Sequence, residues 1–520
     1  MLSQIILFIQ FMKARFLLLT AATSAFSVFA GSKAAKPNVI IILADDLGYG
    51  DMSAYGSTTI KTPNLDKLAN EGVRFTNGYA TSATSTPSRY GMLTGIYPWK
   101  TKDAKILPGD APLIISEKQF TWPKMMQQAG YKTAAIGKWH LGMGEGNVNW
   151  NKKVTPGANE IGFDYSNLIA ATNDRTPTVY VENGYVVGLD PNDPLEVSYQ
   201  DNFPGEPTAI THPEMLKMMW SHGHNQSVHN GIPRIGYQKG GKSAMWVDED
   251  MAGYFTGIAK KFLTEHKDKP FFMYFGLHQP HVPRSPHGRF VGSSGMGPRG
   301  DAIIEADWSV GELVKQLEKL GILENTLILF SSDNGPVLND GYKDQAVELL
   351  GNHKPAGPLR GGKYSLYEAG TRVPFMVYWK GKVKPVVSDA LVCQLDFMAS
   401  IASLIKYPLK GDFDSRNILP ALLGKSKKGR TDLVIEASGK LAYRSGDWAL
   451  IPPYKGPQRN ITQNELGNLK NYGLFNLKTD LGQTANVAKD NPEVLENLKS
   501  RFLEITKGYY TPNVAEVELK

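Results

Sequence analysis

The run Val39-Ile40-Ile41-Ile42-Leu43 has no polar residue on either of the two faces that a strand presents, and it ends in Asp45-Asp46. Side chains alternate between faces along a strand, so a run that is apolar at every position belongs to a strand covered on both sides. Such a strand needs helices above and below a largely parallel sheet. The pattern downstream agrees. Helical periodicity over residues 64–72, 119–129, 248–266 and 301–320 alternates with strand-like runs over 73–79, 132–136, 270–277 and 326–331. The expected fold class is therefore α/β, a large mostly parallel sheet sandwiched by helices, within a domain spanning about residues 31–425. Short strands at 433–436, 441–444, 448–451 and 473–477, followed by a helix at 492–507, predict a smaller α+β subdomain over about 426–520. Residues 145–245 are rich in Gly, Pro, Asn and His with weak periodicity, and read as a long irregular insertion. Insertions of this kind often carry specificity on an α/β scaffold.

Sheets of this type bind ligands at the carboxyl ends of their strands. Two predicted strands end in oxygen donors, Asp45-Asp46 and Asp333-Asn334-Gly335. Adjacent carboxylates repel each other unless a cation neutralises them, and an all-oxygen set suits a hard divalent ion, Ca²⁺ best because it tolerates irregular geometry. An isolated Asp pair would be read as a cap or turn. Here it is accompanied by the second acidic strand end and by Ser85-Thr86-Pro87-Ser88-Arg89, closed by Thr94-Gly95, a loop running into a helix over 88–93. Lys138 and His140 follow the strand at 132–136, and His278 and His281 follow the one at 270–277.

The Ser85 segment resembles the maturation signature of the formylglycine sulfatases, in which Cys or Ser is followed by any residue, Pro, Ser and Arg, then Leu-Thr-Gly. The other motifs of that family stand in the same order: Asp45-Asp46, Gly137-Lys138-Trp139-His140, Pro280-His281-Val282-Pro283, Asp333-Asn334-Gly335, and Gly362-Lys363 with Glu368. The resemblance covers roughly residues 36–405 and continues through Phe475 to Asp480. It implies the alkaline-phosphatase-like sulfatase fold and hydrolysis of a sulfate ester. Ser85 would be oxidised by a maturase to formylglycine, whose hydrate attacks sulfur and whose second hydroxyl then releases sulfate. Ca²⁺ would be held by Asp45, Asp46, residue 85, Asp333 and Asn334. Arg89 would hold the hydrate, Lys138 and His140 would contact it and help deprotonate it, His281 and Lys363 would bind sulfate, and one of these two, His281 favoured, would protonate the leaving oxygen. The chain departs from the family pattern in two places. Position 85 is Ser where many members have Cys, as in bacterial enzymes matured without oxygen, and Glu368-Ala369-Gly370 stands where Glu-Gly-Gly is usual.

The substrate implied is a sulfated carbohydrate, with an exo-acting enzyme on sulfated galactose or N-acetylgalactosamine favoured. His278, and His229 and Trp246 of the insertion, are candidate sugar contacts. The cluster His222, His224 and His229 has spacing a zinc site could use, but no Cys stands near it and no fourth ligand is evident. Two other readings stand beside the sulfatase: a phosphate or phosphonate monoester hydrolase of the same superfamily, and a sulfoglycan-binding protein without turnover. The net charge of +7 comes from scattered Lys and Arg, which suits an anionic substrate and makes no nucleic-acid footprint. Cys393 is the single cysteine, in an apolar run, and reads as a core residue. Lys13 and Arg15 precede the apolar stretch 16–29, and Ala30 offers a cleavage site, so residues 1–30 read as a signal peptide, with Met12 as an alternative start. The expectation is export to the periplasm with no integral membrane span in the mature chain.

Overall fold

The computed structural model describes residues 36–512. The predicted signal segment lies outside them, and among the described residues no helix is long and apolar enough to cross a membrane. Residues 37–512 belong to one compact unit.

Its centre is a ten-stranded sheet. In chain order its strands are β1 (Asn38–Ala44), β2 (Val73–Phe75), β3 (Lys132–Lys138), β4 (Tyr165–Ile169), β5 (Val181–Glu182), β6 (Tyr185–Val186), β7 (Phe271–Gly276), β8 (Thr326–Ser332), β9 (Phe375–Tyr378) and β10 (Val386–Ser388). They lie in the order β10-β2-β9-β8-β1-β7-β3-β4-β5-β6. The inner five, β8-β1-β7-β3-β4, are parallel. Antiparallel pairings begin outside them, at β8 with β9 and at β4 with β5.

The reading of Val39–Leu43 as a doubly covered strand matches the core. Val39, Ile41 and Leu43 face one apolar layer with Phe272, Tyr274, Trp122, Trp139 and Met92. Ile40 and Ile42 face the other, with Met273, Phe275, Phe255, Ile303 and Leu313. The first layer is covered by α2 (Ser85–Thr94), α3 (Trp122–Gln128) and α6 (Phe397–Leu404). The second is covered by α1 (Pro63–Glu71), α4 (Met251–Glu265) and α5 (Gly297–Lys319).

The C-terminal part is an antiparallel sheet of β11 (Asp432–Ala437), β12 (Lys440–Ser445), β13 (Trp448–Ile451) and β14 (Gly473–Asn476), covered by α7 (Pro492–Ile505). Tyr443 is buried there against Phe502.

Two local expectations change. The helix begins at Ser85 itself and not at Ser88, so residue 85 is its first helical position rather than part of a loop. The segment 145–245 is not wholly an insertion, because β4, β5 and β6 extend the main sheet. Tyr165–Ile169 lacks the pattern of a core strand and is held by its pairing with β3, a contact that local periodicity does not reveal. The remainder of that segment is short two-strand pairs and turns, such as Glu196–Ser198 with Tyr237–Lys239. Cys393 is buried, and burial pushes its thiol up to about 12, as suits a core residue.

Candidate active site

The carboxyl ends of β8, β1, β7 and β3 are neighbours in the sheet, so the residues just beyond them converge on one patch. Asp333-Asn334 follows β8, Asp45-Asp46 follows β1, His278 and His281 follow β7, and Lys138 ends β3 with His140 close behind. Gly137 lets β3 close against β7 at this end. Its φ is 99°, and a side chain there would begin 2.0 Å from the Gly276 carbonyl oxygen. Asp46 and His140 take left-handed backbone, with φ of 62° and 56°. Non-glycine residues adopt that region sparingly and often where function demands it.

Arg89 lies one helical turn after Ser85, on the same face of α2, and is fully buried. Its Nε donates to Ser85 Oγ at 2.9 Å and to Asp333 Oδ2 at 3.2 Å, and an Nη donates to the same carboxylate at 2.8 Å. The other Nη donates to the Lys138 carbonyl and to the Tyr274 hydroxyl. Lys138 Nζ donates to Asp45 Oδ2 at 2.6 Å and stands 3.7 Å from Asp333. Lys363 Nζ donates to Asp46 at 2.9 Å and to Asp340 at 2.8 Å. The site thus alternates buried carboxylates with buried cations.

Burial would push the Asp333 carboxyl up, but Arg89 and Lys138 outweigh it and hold the group below the usual range. Asp45 goes the other way: burial and the neighbouring Asp333 raise it well above the ordinary value despite Lys138. Burial would lower Lys363, but Asp340 and Asp46 raise it well above the usual ammonium range. Burial, then Lys138 and Arg175, push His140 well below its ordinary value. His140 Nε2 faces the Leu107 carbonyl at 3.1 Å and therefore carries the proton, and Nδ1 is buried with no protein partner. Burial and Lys363 lower His281 to about 4. His281 Nδ1 donates to the Val282 carbonyl at 2.6 Å, and Nε2 faces Asp46 at 3.9 Å.

A cation fits the arrangement. Asp45 Oδ1 and Asn334 Oδ1 are buried acceptors with no partner, and Asn334 Nδ2 donates to Asp46 Oδ1 at 2.7 Å, which turns its oxygen away from that carboxylate. Unpaired buried acceptors beside a raised carboxyl are what a bound hard ion would satisfy. Among the described residues, the one His/Cys/Asp/Glu group with donor atoms close enough to share an ion is Asp45, Asp46 and His281, within 4.8 Å of one another. This brings His281 to the edge of the cation site, a proximity the motif order did not show. The His222–His229 cluster forms no such group.

The structure thus gathers Ser85, Arg89, Lys138, His140, His281, Lys363, Asp45, Asp46, Asp333 and Asn334. His278 is buried beside them, its ring lowered to about 3 by burial. The two remaining sugar-contact candidates are turned inward. Trp246 packs against Tyr180 in the second core layer and its indole N–H donates to Asp248. His229 Nδ1 pairs with the Thr178 hydroxyl at 3.0 Å, and burial lowers the ring to about 3. Both side chains are buried, and these contacts are to groups of the protein itself.

Several residues escaped the sequence reading. Asp340 and the Tyr364 hydroxyl join Lys363 at the rim. Asp174 binds Arg175, the Thr172 hydroxyl and, at 2.8 Å, His224 Nε2. Lys363 and His281 hold Asp340 below the usual range against its burial, and Arg175 with His224 does the same for Asp174. His281 lies within the electrostatic reach of both acids, so this polar cluster adjoins the side chains expected to be catalytic. In sequence, Asn339-Asp340-Gly341 and Asn173-Asp174-Arg175 look like ordinary turns, and nothing local marks them.

Comparison with known proteins agrees with this geometry. Residues 37–407 match the family model described as Sulfatase. The chain is 50% identical, over 92% of its length and 94% of the relative's, to an N-acetylgalactosamine-6-O-sulfatase of Bacteroides thetaiotaomicron. It is 30% identical to human arylsulfatase A over 90% of this chain and 87% of that one. A solved sulfatase structure from work on glycosaminoglycan metabolism by Bacteroides thetaiotaomicron superposes with a TM-score of 0.89 at 50% identity, covering 91% of this chain and 99% of the other. A phosphonate monoester hydrolase of Agrobacterium radiobacter, at 17% identity and a TM-score of 0.55, covers 91% of this chain and 96% of its own and shares the fold alone. The buried carboxylates, the Ser85–Arg89 helix turn and the match over residues 37–407 lead to one conclusion: the chain belongs to the sulfatase family, the hydrolases of sulfuric esters.

Proposed function

We propose that this protein removes 6-O-sulfate from N-acetylgalactosamine-type sugars, with residue 85 working as formylglycine beside Ca²⁺. The observation that carries the reading is the 50% identity to an N-acetylgalactosamine-6-O-sulfatase across nearly the whole of both chains. The unpartnered oxygens of Asp45 and Asn334, with Asp46 and Asp333, are the residues that would hold the ion. When bound, Ca²⁺ supplies a Lewis acid that orients a sulfate oxygen and offsets charge. The hydrated aldehyde of residue 85 supplies the nucleophile.

The chain's own residues would do the rest. Arg89 Nε, already on the residue-85 oxygen, fixes the nucleophile and offsets its charge. His140 is held neutral with Nδ1 unpaired, so it can accept a proton at that atom. Lys363 stays charged and binds a sulfate oxygen at the mouth. His281 donates from Nε2 to the leaving alcohol oxygen. Its ring is neutral in the free protein, and an anionic sulfate against Nε2 favours the protonated form. Asp174, Arg175, His224 and Asp340 offer hydrogen-bonding groups for sugar hydroxyls next to His281. The reading extends to export through residues 1–30 and to a maturase acting on Ser85, both resting on sequence alone.

The test is sulfate release by matured protein from 6-sulfated N-acetylgalactosamine, 4-sulfated N-acetylgalactosamine and 6-sulfated N-acetylglucosamine. The first should lead by at least about 10-fold, as expected where buried polar groups read hydroxyl positions. Equal rates on all three would overturn the sugar assignment. A residue-85 peptide lacking the mass loss of two hydrogens in active protein would overturn the formylglycine. Asp174→Asn should cut turnover of the sugar while sparing a simple aryl sulfate.

A further inference from the structure

The loop after β7, residues 277–287, carries His278 and His281, and it is tied at both ends to one side chain. Glu305 lies on α5 and is 2% exposed. Its Oε2 accepts from Gln279 Nε2 at 3.0 Å and its Oε1 accepts from the His287 backbone N–H at 2.9 Å. Around this residue α5 is packed into the second core layer by Ile303, Ala306 and Val310, which makes the anchor rigid. The middle of the loop is held by Arg284, whose Nε donates to the Pro280 carbonyl at 2.8 Å and whose Nη groups donate to the Val337 and Leu338 carbonyls and to Asp344. Gln279 also accepts from the Asp45 N–H at 3.0 Å through its backbone oxygen, so the loop is keyed to the strand end that bears the carboxylate pair.

We infer that Glu305 is a positioning residue for the reaction: it spans the loop like a clasp and sets the height of His281 over the leaving oxygen. The inference rests on the reading of His281 as the proton donor. The Glu305 carboxylate bonds to the loop and to none of the residues that would hold the cation. Both of its partners are donors, and a carboxylate is the side chain that accepts at both ends. Alanine removes both acceptors and releases both ends of the clasp, whereas glutamine keeps an acceptor for the His287 N–H and can donate to the unpaired Gln279 Oε1 once that amide turns over. A displacement of about 1 Å in a catalytic group can cost about 10²-fold in rate. The loss should depend on the leaving group. A sugar alkoxide needs the proton from His281, whereas a nitrophenolate leaves without it.

The experiment compares parent, Glu305→Ala, Glu305→Gln and His281→Ala on 6-sulfated N-acetylgalactosamine and on 4-nitrophenyl sulfate, each rate divided by measured formylglycine content. We expect Glu305→Ala to lower kcat on the sugar by roughly 10-fold or more with KM within about threefold, and to lower kcat on the nitrophenyl ester by less than about threefold. Glu305→Gln, which can hold both ends of the loop, should recover most of the sugar rate. An equal loss on both esters or an unchanged sugar rate in Glu305→Ala, or no recovery in Glu305→Gln, would overturn the role of Glu305. If His281→Ala itself shows no dependence on leaving group, the proton-donor reading fails and the inference goes with it. Should Glu305→Ala not fold, Gln279→Leu opens one end of the clasp from the loop side and must show the same split.

Discussion

Replacing Arg89 by Lys keeps the charge and removes the geometry. The guanidinium reaches Ser85 Oγ at 2.9 Å, Asp333 Oδ2 at 3.2 and 2.8 Å, the Lys138 carbonyl and the Tyr274 hydroxyl at once. A single ammonium on a flexible stem can satisfy the carboxylate or the residue-85 oxygen with good geometry, and not the whole set. A hydrogen bond involving a charged group contributes about 1.5–3 kcal/mol. Losing the one to residue 85, the proposed nucleophile, therefore predicts a fall in kcat of roughly 10- to 10²-fold. Arg89→Ala is a different perturbation, because it leaves the buried Asp333 with Lys138 at 3.7 Å as its cationic partner, beside the Asp46 N–H at 3.3 Å. Removing one partner of a buried pair costs about 3–5 kcal/mol, so the alanine variant should unfold at much lower denaturant while the lysine variant stays near the parent. The assay is kcat on an aryl sulfate, corrected for formylglycine content by peptide mass because Arg89 belongs to the maturation motif, together with urea unfolding of each variant. A corrected kcat for Arg89→Lys within twofold of the parent, or equal stabilities for the lysine and alanine variants, would refute this reasoning.

The proposed cation site predicts that added Ca²⁺ stabilises the parent by about 2.7 kcal/mol at a hundredfold excess over Kd. Asp45→Asn should lose most of that gain, as followed by thermal melts with and without chelator. Trp246→Ala should destabilise by about 3–5 kcal/mol as a core truncation, with kcat/KM of the folded protein little changed. A large rise in KM without loss of stability would instead restore its reading as a sugar contact. His229 gives a pH prediction whose sign follows from burial. The folded ring titrates at about 3 and the unfolded one near 6.5, so below about pH 6.5 the unfolded chain takes up a proton that the folded chain refuses. Stability should thus fall on acidification, and His229→Asn, which keeps an acceptor for Thr178, should lose about 2 kcal/mol less than the parent between about pH 7 and 5.

The strands were legible because their signal is local. The apolar run at Val39–Leu43, the alternation of helix and strand, and the four short C-terminal strands each depend on spacing within a few residues, and the observed elements match them closely. The acidic strand ends and the Ser85 segment were legible for another reason: their residue types have few structural uses in that combination. Tyr165–Ile169 was illegible because a short strand at the side of the parallel core is defined by its neighbour β3.

What the sequence by itself determined, then, is the chemistry that must be present: a doubly covered parallel strand, an oxygen-rich end to it, and a hydroxyl–proline–arginine turn. Tertiary structure decided which of those groups meet. Asn334 bonds Asp46 across 288 residues, and Lys363 reaches Asp46 across 317, because β8 and β1 happen to be neighbours in the sheet. It also decided that Asp340 partners Lys363, that Asp174 and His224 gather near His281, that Trp246 faces inward, and that Glu305 clasps the histidine loop. Periodicity carries which face a side chain takes along one element. It carries no information on strand order or on how loops close over the strand ends, and the site is built from those two things.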